Sequence, residues 1–402
     1  MRQGTVWVGA ALVLLGCKKD PAPAPPATTA NPSVAAPATS AEAPPERNDS
    51  VGVVRLEAAV GVGDEFGYGV ATVDERVVVT AFKRKGKSED GRPGAVFVFK
   101  AGPGKLEPEA ELTVDGSHQL GNALAFDGSV ILTGALYDKG KAPETGAAYV
   151  FSREASGWSK GQKLAAADSK RDDAFGIGVA LSGGVAIVCN SREAGGSLYL
   201  HERGKAGFVA KKSVAFPHQN GPAELIAASS DFVVVGAPNV GKLSEQGLVF
   251  VYRRDKDKGG LSQPAELSEP GAGEGQHFGS SVAVSKTTLA ITSEKQVSVF
   301  SESGGEWKEA QRLTPPVTTG LATAALALTD ERLAIGFYLV DAGRVLLYRK
   351  AEGQWKLERT VTAADGKNED WFGYAVALSD KRLVVGAPLA SERTGAAYAL
   401  GF

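Results

Sequence analysis

The chain has 402 residues, 50 of them glycine, and carries 44 basic against 46 acidic side chains for a net charge of −2. The two signs are interspersed, which argues against a dedicated nucleic-acid surface. Glycine exceeds its ordinary share of ~7%, and no 3.6-residue apolar periodicity is sustained, so the sequence predicts short strands and turns with almost no helix.

In chain order, Met1 and Arg2 precede the apolar run VWVGAALVLLG at 6–16, which meets Cys17. The run is shorter than the ~20 apolar residues a spanning helix needs and fits the apolar region of a secretory signal peptide. Leu14-Leu15-Gly16-Cys17 resembles a bacterial lipobox. That resemblance implies that residues 1–16 are removed and that Cys17 carries the lipid anchoring the protein in the membrane. Lys18, rather than Asp, follows the cysteine, which by analogy with lipoprotein sorting points to the outer membrane. Residues 17–50 then turn Pro- and Ala-rich, with no apolar periodicity. Such a segment cannot bury enough surface to fold, and at ~3.1 Å per residue it makes a tether of up to about 100 Å.

From residue 51 to 402 one phrase recurs. FGYGVATVDERVVVTA begins at Phe66 and FGYAVALSDKRLVVGAP at Phe372, and aligned copies begin at 120, 175, 222, 278 and 322. Each reads as a short apolar strand, a polar turn, a β-branched strand, a variable loop and a third strand. A fourth strand lies between copies, clearest in WSKGQKL at 158–164, WKEAQRL at 307–313 and WKLERTV at 355–361, and weaker at 109–114 and 261–267. A period of ~51 residues with four strands per copy predicts an all-β, seven-bladed β-propeller of four-stranded antiparallel blades. The last copy reaches Phe402 without a fourth strand of its own, and VGVVRLEA at 51–58 has that strand's pattern. The N-terminal strand is therefore expected to close the ring, with Val51, Val53 and Leu56 as its buried residues.

FG followed by LVVGAP and GAAYAL resembles the FG-GAP repeat of integrin α-chain propellers and related bacterial proteins. The resemblance covers residues 51–402 and implies the propeller fold; it says little about function, because the shared residues are those of strands and turns. Integrin-type repeats often carry a DxDxDGxxD calcium loop in the first turn. Here those turns, such as Asp74-Glu75-Arg76 and Ser379-Asp380-Lys381, are too short to supply six to eight oxygens, so no metal and no cofactor are expected.

Candidate chemistry is sparse. The cysteine count leaves Cys189 without an intramolecular partner once Cys17 is lipidated, and its place in VAIVCN predicts a buried thiol. His118, His201, His218 and His277 lack ligand spacing. The acidic pairs Asp64-Glu65, Asp172-Asp173 and Glu369-Asp370 recur before Phe-Gly anchors. They are expected to accept backbone N–H bonds in the turn entering the first strand, rather than to act as acid and base. Asp255-Lys256-Asp257-Lys258-Gly259 reads as a solvated turn.

The remaining signal is loop length. In a four-strand meander the loops between second and third strands share one face with the blade-to-blade connections. These loops are long at 82–94, 136–146 and 238–247, as is the connection at 268–277, whereas the turns of the opposite face are short throughout. Long loops on a rigid scaffold carry recognition. Lys83, Arg84 and Lys85 in the first loop, with Tyr137, Asp138 and Lys139 in the second, are the expected ligand contacts. The reading is a monomeric, non-catalytic envelope lipoprotein with a propeller that binds or scaffolds a protein partner. The alternatives are a lectin-like propeller, for which Trp371 is the candidate aromatic, and a hydrolase or lyase using the axial funnel.

Overall fold

A computed structural model describes residues 50–86, 92–102, 104–139, 145–191, 195–217, 225–255, 260–317 and 321–402. Cys17, the tether, His218, Pro222 and Lys256–Gly259 lie outside the described residues, as do parts of the loops at 82–94 and 136–146.

Seven antiparallel sheets follow one another along the chain, and the strand order within each is that of a meander. In blade 1 the first strand is Phe66–Val73, the second Arg76–Ala81, the third Ala95–Ala101 and the outer one Leu106–Leu112. The second strands are buried along most or all of their length in every blade, as the runs RVVVTA, VILTGA, FVVVGA and RLVVGA require. Among the described residues helix is confined to a 3₁₀ turn at Leu321–Thr323 and a four-residue turn at Ala390–Arg393.

The ring closes as expected. Val53–Arg55 pairs antiparallel with the last strand, Ala396–Gly401, in the register Val53–Leu400, Val54–Ala399 and Arg55–Tyr398. Leu56 extends the pairing by donating its N–H to Ala397 O at 2.8 Å. The burial forecast for this strand needs correction, because Leu56 is buried and Val53 half-buried but Val51 is exposed. Pairing begins only at Val53, so Val51 has no neighbouring strand to cover it.

The core lies in the seams. Seven apolar clusters fill the seven seams between successive blades. The residue at the repeated Phe position, or in one blade its predecessor, is the hinge of five seams: its N–H donates to a carbonyl just ahead of the preceding blade's third strand. Phe66 bonds Thr394 O at 3.0 Å, Leu120 Pro93 O at 2.8 Å, Phe175 Thr145 O at 3.0 Å and Phe278 Gln246 O at 3.1 Å. In blade 6 the residue making this bond is Leu321, to Glu294 O at 3.0 Å. The alignment on 322 holds for the strands, since Ala325–Gly336 and Ala375–Gly386 pair at the same offsets from 322 and 372; the bond comes from one residue earlier, through the 3₁₀ turn at Leu321–Thr323.

The two glycines of the phrase meet across the seam. A Cβ on Gly386 would lie 2.0 Å from Gly67 O, and one on Gly336 would lie 2.1 Å from Gly373 O. Gly67 and Gly373 adopt φ of 91° and 94°. The backbones of neighbouring blades touch here, and only glycine leaves the room. FG and GAP are thus two halves of one contact made by different blades.

Candidate interaction face

The turns after first and third strands lie on one face and are tight. Some of their side chains bond their own backbone: Asp127 Oδ1 accepts the Ser129 and Val130 N–H groups at 2.8 and 2.7 Å, and Thr329 Oγ1 accepts Arg332 N–H at 2.9 Å. The other face carries the long loops and the blade-to-blade connections.

On that face the acidic pairs do the structural work expected of them. Asp64 accepts Gly61 N–H at 2.7 Å, Asp173 accepts Lys170 N–H at 2.6 Å and Asp370 accepts Lys367 N–H at 2.8 Å, always three residues back. This carboxylate folds the turn that delivers the anchor. The residue before the anchor takes a positive φ in Glu65, Gln119, Ala174, His277 and Trp371.

Around Asp64 and Glu65 the loop cations are drawn inward. Arg84 Nη1 pairs with the buried Asp64 at 2.8 Å, and Lys83 Nζ pairs with the buried Glu65 at 3.0 Å. Arg393, from the long loop of blade 7, reaches the same Glu65 oxygen through Nε at 3.0 Å. Lys85 donates its backbone N–H to Asp64 at 3.1 Å, while its side chain is exposed. Two of the three basic residues singled out in the sequence therefore fix the turn that enters their own blade, and Arg393 ties that turn to blade 7.

The second loop divides similarly. Asp138 is buried, accepts the Tyr149 hydroxyl and pairs with Lys163 Nζ at 3.4 Å. Burial, and then the Asp138 carboxylate, push the Tyr149 hydroxyl above its ordinary pKa. Lys139 is exposed with its backbone N–H on Asp138 Oδ1 at 2.6 Å. Tyr137 stands 54% exposed. Of the six residues named from the sequence, Lys85, Tyr137 and Lys139 present side chains to solvent. Sequence reasoning missed Val62, Leu243 and Leu339, further exposed apolar side chains on the same face; a single apolar residue within a polar loop gives no periodic signal.

Trp371 is half-buried, stacked on Tyr374 with ring centroids 5.5 Å apart and tilted against Tyr338 at 5.1 Å. Cys189 is a buried free thiol, held above its ordinary pKa by burial alone. His201 is buried, which lowers its pKa; His118 is exposed; His277 Nε2 lies 3.7 Å from Glu245. Among the described residues no three His, Cys, Asp or Glu side chains gather as a metal cage.

Comparison with known proteins agrees with this architecture. The FG-GAP repeat family matches residues 158–201 and 355–400. Each match starts in an outer strand and ends in the next blade's third strand, the same offset that leaves the last blade to be closed by the N-terminus. None of the curated proteins matches the chain in sequence. Among solved structures, a protein from Lactobacillus plantarum superposes with a TM-score of 0.54 at 13% identity, over 74% of this chain and 84% of that one. A 6-phosphogluconolactonase candidate from Bacteroides uniformis gives 0.53 at 12% identity, over 72% and 82%. A protein of unknown function from Desulfotomaculum acetoxidans gives 0.51 at 12%, over 80% and 92%. At such identities the likeness is one of fold alone. With the Phe-Gly and Gly-Ala-Pro contacts meeting in its seams, this chain is a seven-bladed β-propeller that carries FG-GAP repeats at 158–201 and 355–400.

Proposed function

We propose that the protein is a cell-envelope lipoprotein, anchored through Cys17 in the outer membrane, whose monomeric propeller binds or scaffolds a protein partner without catalysing a reaction. The observation that carries this reading is the asymmetry of the two faces. The tight-turn face is made of short polar turns whose side chains bond their own backbone, as Asp127 and Thr329 do, or a neighbouring turn, as Lys381 does Glu75. The long-loop face presents Tyr137, Val62, Leu243 and Leu339 to solvent from four separate segments, and exposed aromatic and aliphatic side chains on rigidly held loops are what a protein interface uses as anchors. Tyr137, flanked by Lys139 and with Lys85 on the neighbouring loop, is the centre of the contact. Lys83, Arg84 and Asp138 contribute by fixing the loops that present it.

The lectin-like reading is less well supported, because Trp371 lies sandwiched against Tyr338 and Tyr374. The likeness to a lactonase candidate transfers fold and no activity.

A photo-crosslinking residue placed at Tyr137, and in a second version at Glu352 on the opposite face, tests the assignment in cells producing the full chain. Protein adducts are expected at 137 and not at 352. Adducts confined to 352 would overturn the choice of face. Adducts at neither position, with glycan binding lost on Trp371→Ala, would favour the lectin reading.

A further inference from the structure

The seam where the ring closes differs from seams formed within the chain. Between blades 2 and 3, the buried Phe208 fills the seam near the start of the outer strand. Gln162 of the preceding blade clasps its backbone, accepting Phe208 N–H at 2.8 Å and donating to Phe208 O at 2.7 Å. Gln311 and the buried Trp355 repeat this between blades 5 and 6, at 2.7 and 2.9 Å. At the seam of blades 7 and 1 the matching positions hold Val54 and Leu106, which are smaller and cannot clasp. A groove of about 520 Å³ results, walled by Val54, Leu56, Leu106, Ala399 and Arg382. Along the outer strand it meets a second hollow of about 450 Å³, and the two share Glu57 and Pro108.

Arg382 in that wall has lost a counter-charge that its counterparts keep. Arg76, Arg332 and Arg382 each open the second strand of a blade. Arg76 is held by Glu109 at 2.7 and 3.0 Å, and Arg332 by Glu358 at 3.6 Å. Both glutamates are the extra residue of a β-bulge, where the register slips between Val98 and Phe99 and between Leu347 and Tyr348. The closing strand pairs Val53, Val54 and Arg55 without a slip, so blade 7 has no bulge residue and no carboxylate. Arg382 is only 9% exposed, and its Nη1 is sealed from water with no acceptor among the described residues. Other charges at the groove are paired or at the rim: Arg55 goes to Asp365 at 2.7 Å, Lys105 lies 3.6 Å from Glu107, and Glu57 is exposed. Glu75, the carboxylate closest in chemistry to a partner, is taken by Lys381.

We propose that this groove binds a small monocarboxylate with an apolar body, whose carboxylate is taken by Arg382 as Glu109 is taken by Arg76. A buried cation left unpaired is costly, an Arg–carboxylate pair is among the stronger polar contacts, and the volume lies within the ~300–1,000 Å³ range of ligand pockets. Burial holds the Arg382 pKa below its ordinary value, consistent with a guanidinium short of counter-charge.

Calorimetric titration of the full chain with octanoate, octanol and octylamine tests this. Octanoate is expected to saturate a single site, with the alcohol and the amine at least tenfold weaker. Arg382→Leu should weaken octanoate at least tenfold, and Leu106→Trp, copying Trp355, should abolish binding by filling the groove. Should Arg382→Leu not fold, Val54→Glu places a carboxylate in the groove wall that Arg382 shares, and must weaken octanoate in the same way. Absence of octanoate binding at millimolar concentration, equal binding of octanol, or binding that survives both Leu106→Trp and the arginine or valine variant overturns the proposal.

Discussion

Removal of residues 50–58 should destabilise the propeller, whereas removal of residues 18–45 should not. The structure sets the size of the difference. Val53–Arg55 contributes three register pairs with the last strand, and Leu56 adds a further backbone bond. Each such bond is worth about 0.5–1.5 kcal/mol net, while ordering each residue costs ~1–2 kcal/mol, so bonds and ordering roughly offset. What remains is apolar burial. Leu56 is 5% exposed, worth about 1.5–3 kcal/mol on burial, and half-buried Val53 adds a part of that. Tyr398 and Leu400, both buried beneath the strand, lose their cover as well. A net loss of about 3–5 kcal/mol is a large share of an ordinary stability of ~5–15 kcal/mol. Urea denaturation followed by tryptophan fluorescence reads it as a drop in midpoint. The single variants Leu56→Ala and Val54→Ala sharpen the test: the first should cost ~2–4 kcal/mol, the second, at a position 54% exposed, less than ~0.5 kcal/mol. Equal midpoints for the two truncations would refute closure by the N-terminal strand as a source of stability.

Gly386→Ala places a Cβ 2.0 Å from Gly67 O and should lower the unfolding free energy by about 1–3 kcal/mol or more, read from urea denaturation. Gly260→Ala, with no atom within 4 Å, should be neutral or slightly stabilising; a like effect at both sites would contradict the contact. The Arg76 hydrogen bond holds the Glu109 carboxyl below its usual range. Its stabilising contribution is therefore complete above the unfolded value of about 4.3 and is lost as pH falls through the lower folded value. Glu109→Gln should thus be less stable than the parent at pH 7, with the gap narrowing below about pH 4; a gap that does not change with pH counts against the pair. Cys17→Ser should abolish metabolic lipid labelling, and persistent labelling would remove Cys17 as the anchor. EDTA should leave the melting curve unchanged, and a fall reversed by calcium would reveal a cation site.

The fold was legible because a repeat states the same physical requirement many times. Phe66, Phe175, Phe278 and Phe372 mark the hinge of their seams in letters that can be aligned. Even the seam glycines, whose partners lie in the next blade, are visible as Gly67 and Gly386 because their spacing recurs. Blade 6 has lost that lettering, yet its strands keep the frame set at 322, and Leu321 takes over the bond of the usual Phe from one residue earlier. The outer strand Gly207–Ala215 of blade 3 went unrecognised for a similar reason, since GFVAKKSVA lacks the Trp and Gln of its counterparts.

Function was far less legible, because the polar residues that attract attention in the sequence are mostly used in fixing the turns and loops of their own blades. Lys83 and Arg84 look like a basic patch, yet each is matched to a buried carboxylate of the neighbouring connection. Asp138 looks like an exposed loop acid and lies beneath the Tyr149 hydroxyl. The informative features are the places where one copy departs from its siblings. Arg382 matches Arg76 and Arg332 in sequence, and nothing in its own repeat announces that its glutamate is missing. The partner would have had to come from a strand more than 300 residues away, and whether that strand carries a bulge is a matter of register. A closed repeat must join its two ends, and the join need not reproduce the internal seams. The closing seam is therefore where a fold of near-identical blades has room for a site that its repeats do not share.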